Sequence, residues 1–123
     1  MKLIPKGGNT GLVGGTSHTQ NKKEIIIKFE KMNKIIEIDG ENRCIEVEAG
    51  TIIDNIISAI DKENYLFPLK MSSTGSSQVG GAIATNAGGI NVVKHGSIRQ
   101  NILALEVVLA NGEFLKLGSK VIK

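Results

Sequence analysis

Two stretches hold most of the residues whose types and spacing could do chemistry. Pro5-Lys-Gly-Gly-Asn-Thr-Gly-Leu-Val-Gly-Gly15 interleaves glycines with Asn9 and Thr10 and has one cation, Lys6. Ser72-Ser-Thr-Gly-Ser-Ser-Gln-Val-Gly-Gly-Ala-Ile-Ala-Thr-Asn-Ala-Gly-Gly89 has no charge and no aromatic ring, and its side chains are small nearly throughout. Composition of this kind places backbone very close to something, with N–H and hydroxyl donors aimed at it. The chemistry it suits is capture of an anion or a nucleotide, where converging amides meet phosphate oxygens and Lys6 adds charge. A pair of tight turns with no ligand is the plainer alternative, and the glycines by themselves do not separate the two.

Several other chemistries have little support. The glycines at positions 7, 8, 11, 14 and 15 match neither the Walker A spacing nor G-x-G-x-x-G, and no Gly-Lys-Ser/Thr follows. His18 and His95 are the only histidines and lie far apart, with no ligand-spaced partner. His18 reads as an exposed loop residue. No G-x-S-x-G elbow marks a nucleophile. Cys44 is the single cysteine, which excludes an internal disulfide, and its place in a strand pattern makes it a small buried hydrophobe.

The rest of the chain is scaffold for the two loops. With 123 residues and 41% hydrophobic residues it suits one domain with a modest core, built from Ile, Leu and Val because aromatic content is only 3%. The net charge of +3 is spread along the chain, unlike the basic cluster with stacking aromatics of a nucleic-acid binder. Leu3-Ile4, stopped by Pro5, reads as the end of a strand, so the chain is expected to start inside a larger fold. Residues 16–23 read as polar and exposed. Glu24–Phe29 is a β-branched run expected to be covered on both faces, and Glu30–Asn33 is a turn. Ile35–Asp39 and Cys44–Glu48 alternate around Asp39-Gly40 as a hairpin. Thr51 is a plausible N-cap, with Asp54 in capping-box position. Ile52, Ile53, Ile56, Ile57 and Ile60 form one apolar stripe, which predicts an amphipathic helix over about 51–64. Residues 102–117 predict a hairpin around a two-residue Asn111-Gly112 turn of type I′. The fold class is therefore α+β, with a mixed or antiparallel sheet. No run reaches transmembrane length, and the lack of an apolar run in Met1–Pro5 makes the cytoplasm the expected compartment.

The order of motifs carries a resemblance. The first loop, Phe29–Ile35, Glu48-Ala-Gly50, Phe67-Pro68, Gly75-Ser76, Val79–Gly89, Lys94-His-Gly96 and Leu105–Gly112 together resemble the FAD-binding domain of the vanillyl-alcohol-oxidase (PCMH) type. They look most like the branch with D-lactate dehydrogenase, D-2-hydroxyglutarate dehydrogenase and the glycolate oxidase flavin subunit. The resemblance spans essentially the whole chain. It implies a flavoprotein oxidoreductase in which Lys6, Gly7, Gly8, Asn9, Thr10, Gly11, Gly14 and Gly15 wrap the FAD pyrophosphate. Pro68, Gly75, Ser76, Gly80, Gly81, Asn86, Gly88 and Gly89 would approach the ribityl chain and flavin ring.

Departures from the family pattern refine this. Relatives that attach flavin through a histidine place it where Asn9 stands, so the resemblance implies non-covalent FAD. Ala82 stands where some relatives have Asn. His95, where Tyr is frequent, is read with Gly96 as a contact to flavin phosphate and not as catalytic. No residue is assigned as catalytic or metal-binding. The family's preceding β-α-β unit and following cap domain are missing from residues 1–123, which resemble one partial FAD-binding domain. The expected partners are FAD and a separately encoded cap domain or a second copy of the chain, with no nucleic acid. For a complete enzyme, peripheral membrane association stays open. The alternative is a truncated or split non-catalytic module that folds and self-associates through unpaired strand edges.

Overall fold

The computed structural model describes residues 1–18 and 23–120. The chain is α+β. β1 (Lys2–Lys6) pairs in parallel with β2 (Glu24–Lys28), with Pro5 opposite Ile27. Among the described strands β1 has one neighbour, the setting in which a residue without an N–H is tolerated. β3 (Ile35–Asp39) and β4 (Cys44–Val47) form an antiparallel hairpin with a bulge between Ile35 and Glu37. α1 (Ile53–Asp61), α2 (Val79–Ala84), α3 (Val92–His95) and a 3-10 turn at Ile98–Asn101 follow. β5 (Ala104–Val108) and β6 (Phe114–Gly118) close the chain as a second antiparallel hairpin.

α1 exists because its isoleucines share one face. Ile53, Ile56 and Ile60 are buried, and Ile53 and Ile56 pack with Leu69, Val79, Ala82 and Ile98. Full burial of each such side chain contributes about 1.5–3 kcal/mol. The expected 51–64 span is real but splits in two. Asn64 adopts φ +59°, and Tyr65 N–H and Asn64 N–H return to the carbonyls of Ile60 and Asp61 at 3.1 and 3.0 Å. That is a left-handed C-terminal cap, so residues 62–64 are the closing turn.

Three local expectations change. Thr51 is not the N-cap. Ile52 occupies that position, and the fully buried Thr51 hydroxyl donates to the Lys34 carbonyl at 3.2 Å. The 102–117 hairpin forms with a different turn. Gly112 N–H donates to the Leu109 carbonyl at 2.9 Å, Leu109 N–H donates to the Glu113 carbonyl at 2.8 Å, and of the Asn111-Gly112 pair only Gly112 has positive φ (+87°). This is a type I turn followed by a left-handed glycine; a type I′ turn needs positive φ at both residues. Asn111 instead uses its Oδ1 to accept from Glu113 N–H at 3.0 Å.

β2 is the third difference. Ile25, Ile26 and Ile27 are 46%, 45% and 39% exposed, so the expectation of cover on both faces fails within the described residues. Of the stretch 16–23, residues 19–22 lie outside the described residues, while Ser17, His18 and Lys23 are exposed. Cys44 is half-buried, and burial pushes its thiol up from the usual range.

Candidate functional site

The segment Ser72–Gly81 is positioned by α1 and by the chain just before it. The first amides of α1 donate to this segment: Ile53 N–H to the Ser77 carbonyl at 3.0 Å and Asp54 N–H to the Thr74 carbonyl at 3.2 Å. In return, Val79 N–H reaches the Thr51 carbonyl at 2.9 Å and Gly80 N–H reaches the Ala49 carbonyl at 2.8 Å. Each helix therefore satisfies its orphan first-turn donors on backbone from the other's entry segment. A Cβ on Gly80 would come within 2.9 Å of Ala49 Cβ, so only glycine permits this approach.

The first loop leaves β1 at Lys6 and docks on the second. A Cβ on Gly8 would overlap the Ser76 carbonyl oxygen. Asn9 adopts φ +57°, and its Oδ1 accepts from the Thr16 hydroxyl at 2.9 Å, which clasps the loop on itself. The Thr10 and Ser77 hydroxyls lie 2.8 Å apart, and the Ser73 hydroxyl lies 2.9 Å from Ser77 on the other side. Ser77 is buried, Ser73 half-buried and Thr10 exposed, so this three-hydroxyl chain joins the two loops through a shielded centre.

Between the loops lies a groove of about 420 Å³. It is lined by seven of the anticipated residues: Gly7, Gly8, Asn9, Thr10, Gly11, Gly15 and Gly81. A Cβ on Gly11 or Gly81 would meet nothing within 4 Å, so these two glycines keep space open instead of filling it. Among the described residues, no backbone N–H from Gly8 to Gly15 donates to a backbone carbonyl. The amides of this loop are thus left without backbone acceptors. Among the described residues no charged side chain lines the groove. It can hold and orient a ligand, and it contains no acid–base pair.

The other anticipated residues sit around this groove. Lys6 ends β1 at its edge. Gly14, at φ +73°, makes the turn whose carbonyl accepts from Ser17 N–H at 3.0 Å. Gly75 faces Asp54, Ser76 backs Gly8, and Gly88 faces Val92. A Cβ on Gly89 would overlap the Lys70 carbonyl. Pro68 is half-buried just before Leu69 of the core. Asn86, at φ +49°, accepts from Arg99 N–H at 3.3 Å and lines a separate hollow with Ile83 and Ile102. His95 and Gly96 (φ +77°) end α3, where Asn101 Nδ2 donates to the His95 carbonyl at 3.0 Å. Neither lines the groove.

Other lining residues had not been singled out: Thr16, Ser73, Ser77, Gln78 and Thr85. The signal for the second-loop members lay in the hydroxyl-rich, charge-free composition around Gly75. Close backbone approach marks glycines and not these polar side chains, and several of those glycines approach this chain's own backbone.

The paired loops, the amides without backbone acceptors and the uncharged lining suit a nucleotide-like ligand. The family described as "FAD binding domain" matches residues 1–118, and the chain belongs to it. D-2-hydroxyglutarate dehydrogenase, mitochondrial, of Arabidopsis thaliana is 38% identical over 115 residues, which are 94% of this chain and 20% of that protein. Glycolate oxidase subunit GlcD of Bacillus subtilis (strain 168) is 38% identical over all 123 residues and 26% of its own length. The chain thus spans about a fifth to a quarter of the curated relatives it matches. A solved structure of alkyldihydroxyacetonephosphate synthase superposes with TM-score 0.85 over 94% of this chain and 21% of that one, at 24% identity. That likeness establishes the fold. Among the described residues no helix is long and apolar enough to cross a membrane.

Proposed function

We propose that this chain is the FAD-holding portion of a flavin-dependent D-2-hydroxy-acid dehydrogenase and that it binds FAD non-covalently in the groove between Gly7–Gly15 and Ser73–Ala87. The observation that carries the reading is the row of amides from Gly8 to Gly15, available over an uncharged groove that Gly11 and Gly81 keep open. These residues suit a dinucleotide: amides for the diphosphate, small hydroxyls for the polyol, and no carboxylate to repel it. Bound there, FAD supplies the electron-accepting ring that amino-acid side chains lack.

Within this proposal the anticipated cofactor set divides by task. Lys6 contributes charge beside the diphosphate, and Gly7, Asn9, Thr10, Gly11, Gly15 and Gly81 face the ligand. Gly8, Gly80 and Gly89 let the chain's own segments approach one another and so fix the spacing of the walls. Asn9 holds its carboxamide toward Thr16 and offers no ring nitrogen for covalent attachment. His95 and Gly96, which do not line the groove, would meet only a part of FAD that extends beyond it toward the end of α3. The base that accepts the substrate proton comes from sequence beyond these residues or from a partner chain, because the lining carries none.

The relatives' names supply the substrate class: D-2-hydroxyglutarate and glycolate are both 2-hydroxy acids. The exposed Ile25, Ile26 and Ile27 of β2 favour cover by another polypeptide or by a second copy. A cytoplasmic location belongs to the same proposal, and subcellular fractionation checks it; the Arabidopsis relative is described as mitochondrial. Two experiments test the function. Titration of the chain with FAD should quench flavin fluorescence to a saturating endpoint, and absence of quenching at high protein concentration contradicts it. In the polypeptide or complex that contains the remaining domains, anaerobic addition of D-2-hydroxy acids should bleach the visible flavin absorption. L-enantiomers should not.

A further inference from the structure

Gln78 pairs with Ile52 in an isolated bridge and is the N-cap residue of α2, and it is only 8% exposed. Its Oε1 is completely enclosed and has no hydrogen-bond partner among the described residues. The atom faces Gly7, whose absent Cβ would lie 3.1 Å from it, and the side chain lines the groove between the two loops. An enclosed carbonyl oxygen without a donor is an expensive feature, and native chains keep one where something else completes it. The neighbouring first amides of α2 do not explain it, since Val79 and Gly80 N–H already donate to Thr51 and Ala49.

We propose that Gln78 is a cofactor-binding residue whose carboxamide turns from Gly7 into the groove it lines, so that Oε1 accepts a hydrogen bond from a hydroxyl or N–H donor of FAD seated there. The proposal rests on the FAD reading above and deepens it. The diphosphate of FAD offers only acceptors near neutral pH, so Oε1 marks the place of a donor-bearing part of the ligand. The amides of Gly8–Gly15 are left to the diphosphate. Gly7 is then required beside Gln78 because a side chain there would push the carboxamide off its line.

The test uses the 123-residue chain with Gln78→Met and, should that variant fail to fold, Gln78→Leu. Met keeps an unbranched stem of similar reach and Leu a shorter apolar one, and both remove the carboxamide. Without FAD, each variant should melt at or above the wild-type temperature, since a buried orphan acceptor has been removed. Its FAD dissociation constant should rise about fivefold or more, the size of one neutral hydrogen bond. The deficit should be equal at low and high salt, because no charge is involved. If the wild type binds FAD and the variants bind it equally well, this inference is overturned and the FAD reading stands. A deficit that shrinks at high salt also overturns it, as does a loss of ligand-free stability matching the loss of affinity. If the wild type binds no FAD, both readings fall.

Discussion

The hydroxyls of Thr10 and Ser77 lie 2.8 Å apart across 67 positions of sequence. This contact joins the two glycine-rich loops directly, and Ser73 extends it at 2.9 Å. Thr10→Val keeps the shape and removes the hydroxyl, leaving Ser77 with Ser73 alone. We expect a loss of about 1 kcal/mol of folding stability. That is a fall in Tm of roughly 2–8 °C for a chain of this size, read by thermal denaturation. FAD affinity should fall as well, because the groove walls are no longer tied.

Two glycines of the same site should respond in opposite ways. A Cβ on Gly8 meets the Ser76 carbonyl, whereas a Cβ on Gly81 meets nothing within 4 Å. Gly8→Ala should destabilise the chain by about 1–3 kcal/mol or more by overpacking. Gly81 lies inside α2, so Gly81→Ala should leave the fold as stable as before or better by about 0.5–1 kcal/mol. Its methyl projects into the groove and should weaken FAD binding about tenfold, a loss of about 1.4 kcal/mol. Melting curves alongside FAD titrations separate the two variants.

Ile56 is 1% exposed and packs within the Ile53–Leu69–Val79 cluster. Ile56→Ala should cost about 2–5 kcal/mol, measured by urea denaturation. Because α1 donates its first amides to Ser77 and Thr74, the loop they hold should loosen too, and Ser77 should gain protease sensitivity.

One pH effect is local to the first hairpin. Asn42 Nδ2 and N–H donate to Asp39 at 2.7 and 3.0 Å, and these bonds hold the Asp39 carboxyl below its ordinary value of 3.8. A carboxyl depressed in the folded state adds stability that is complete above the unfolded value and disappears as pH falls through the lower folded one. Asp39→Ala should therefore be less stable than wild type at neutral pH, and the gap should close on acidification below 3.8. Denaturation midpoints across that range provide the check.

The parts of the fold that depend on near neighbours were legible in the sequence. The isoleucine stripe of α1 and the alternation around Asp39 and Asn111 each report contacts only a few residues apart. The turn at Asn111-Gly112 was misread because dipeptide chemistry suits both a two-residue turn and a three-residue turn ending in left-handed Gly112. Thr51 has the right type for a cap, yet Lys34, 17 positions earlier, takes its hydroxyl. The two loops were legible as close-approach backbone. Whether a given glycine meets ligand or chain was not, because Ser76, Ala49 and Lys70 reach Gly8, Gly80 and Gly89 only after folding. Gln78 and Ser77 were passed over for the same reason: burial turns ordinary polar residues into site residues, and burial is a property of the assembled loops.

FAD is proposed to lie in the groove between Gly7–Gly15 and Ser73–Ala87. Amide hydrogen exchange, with and without FAD, tests it residue by residue. The account predicts that the amides of Gly8–Gly15, which have no backbone acceptor among the described residues, become protected on adding FAD. Those of the β5–β6 hairpin, which are already paired, should not change. Unchanged exchange in the first loop at saturating FAD, or protection confined to the hairpin, would contradict it.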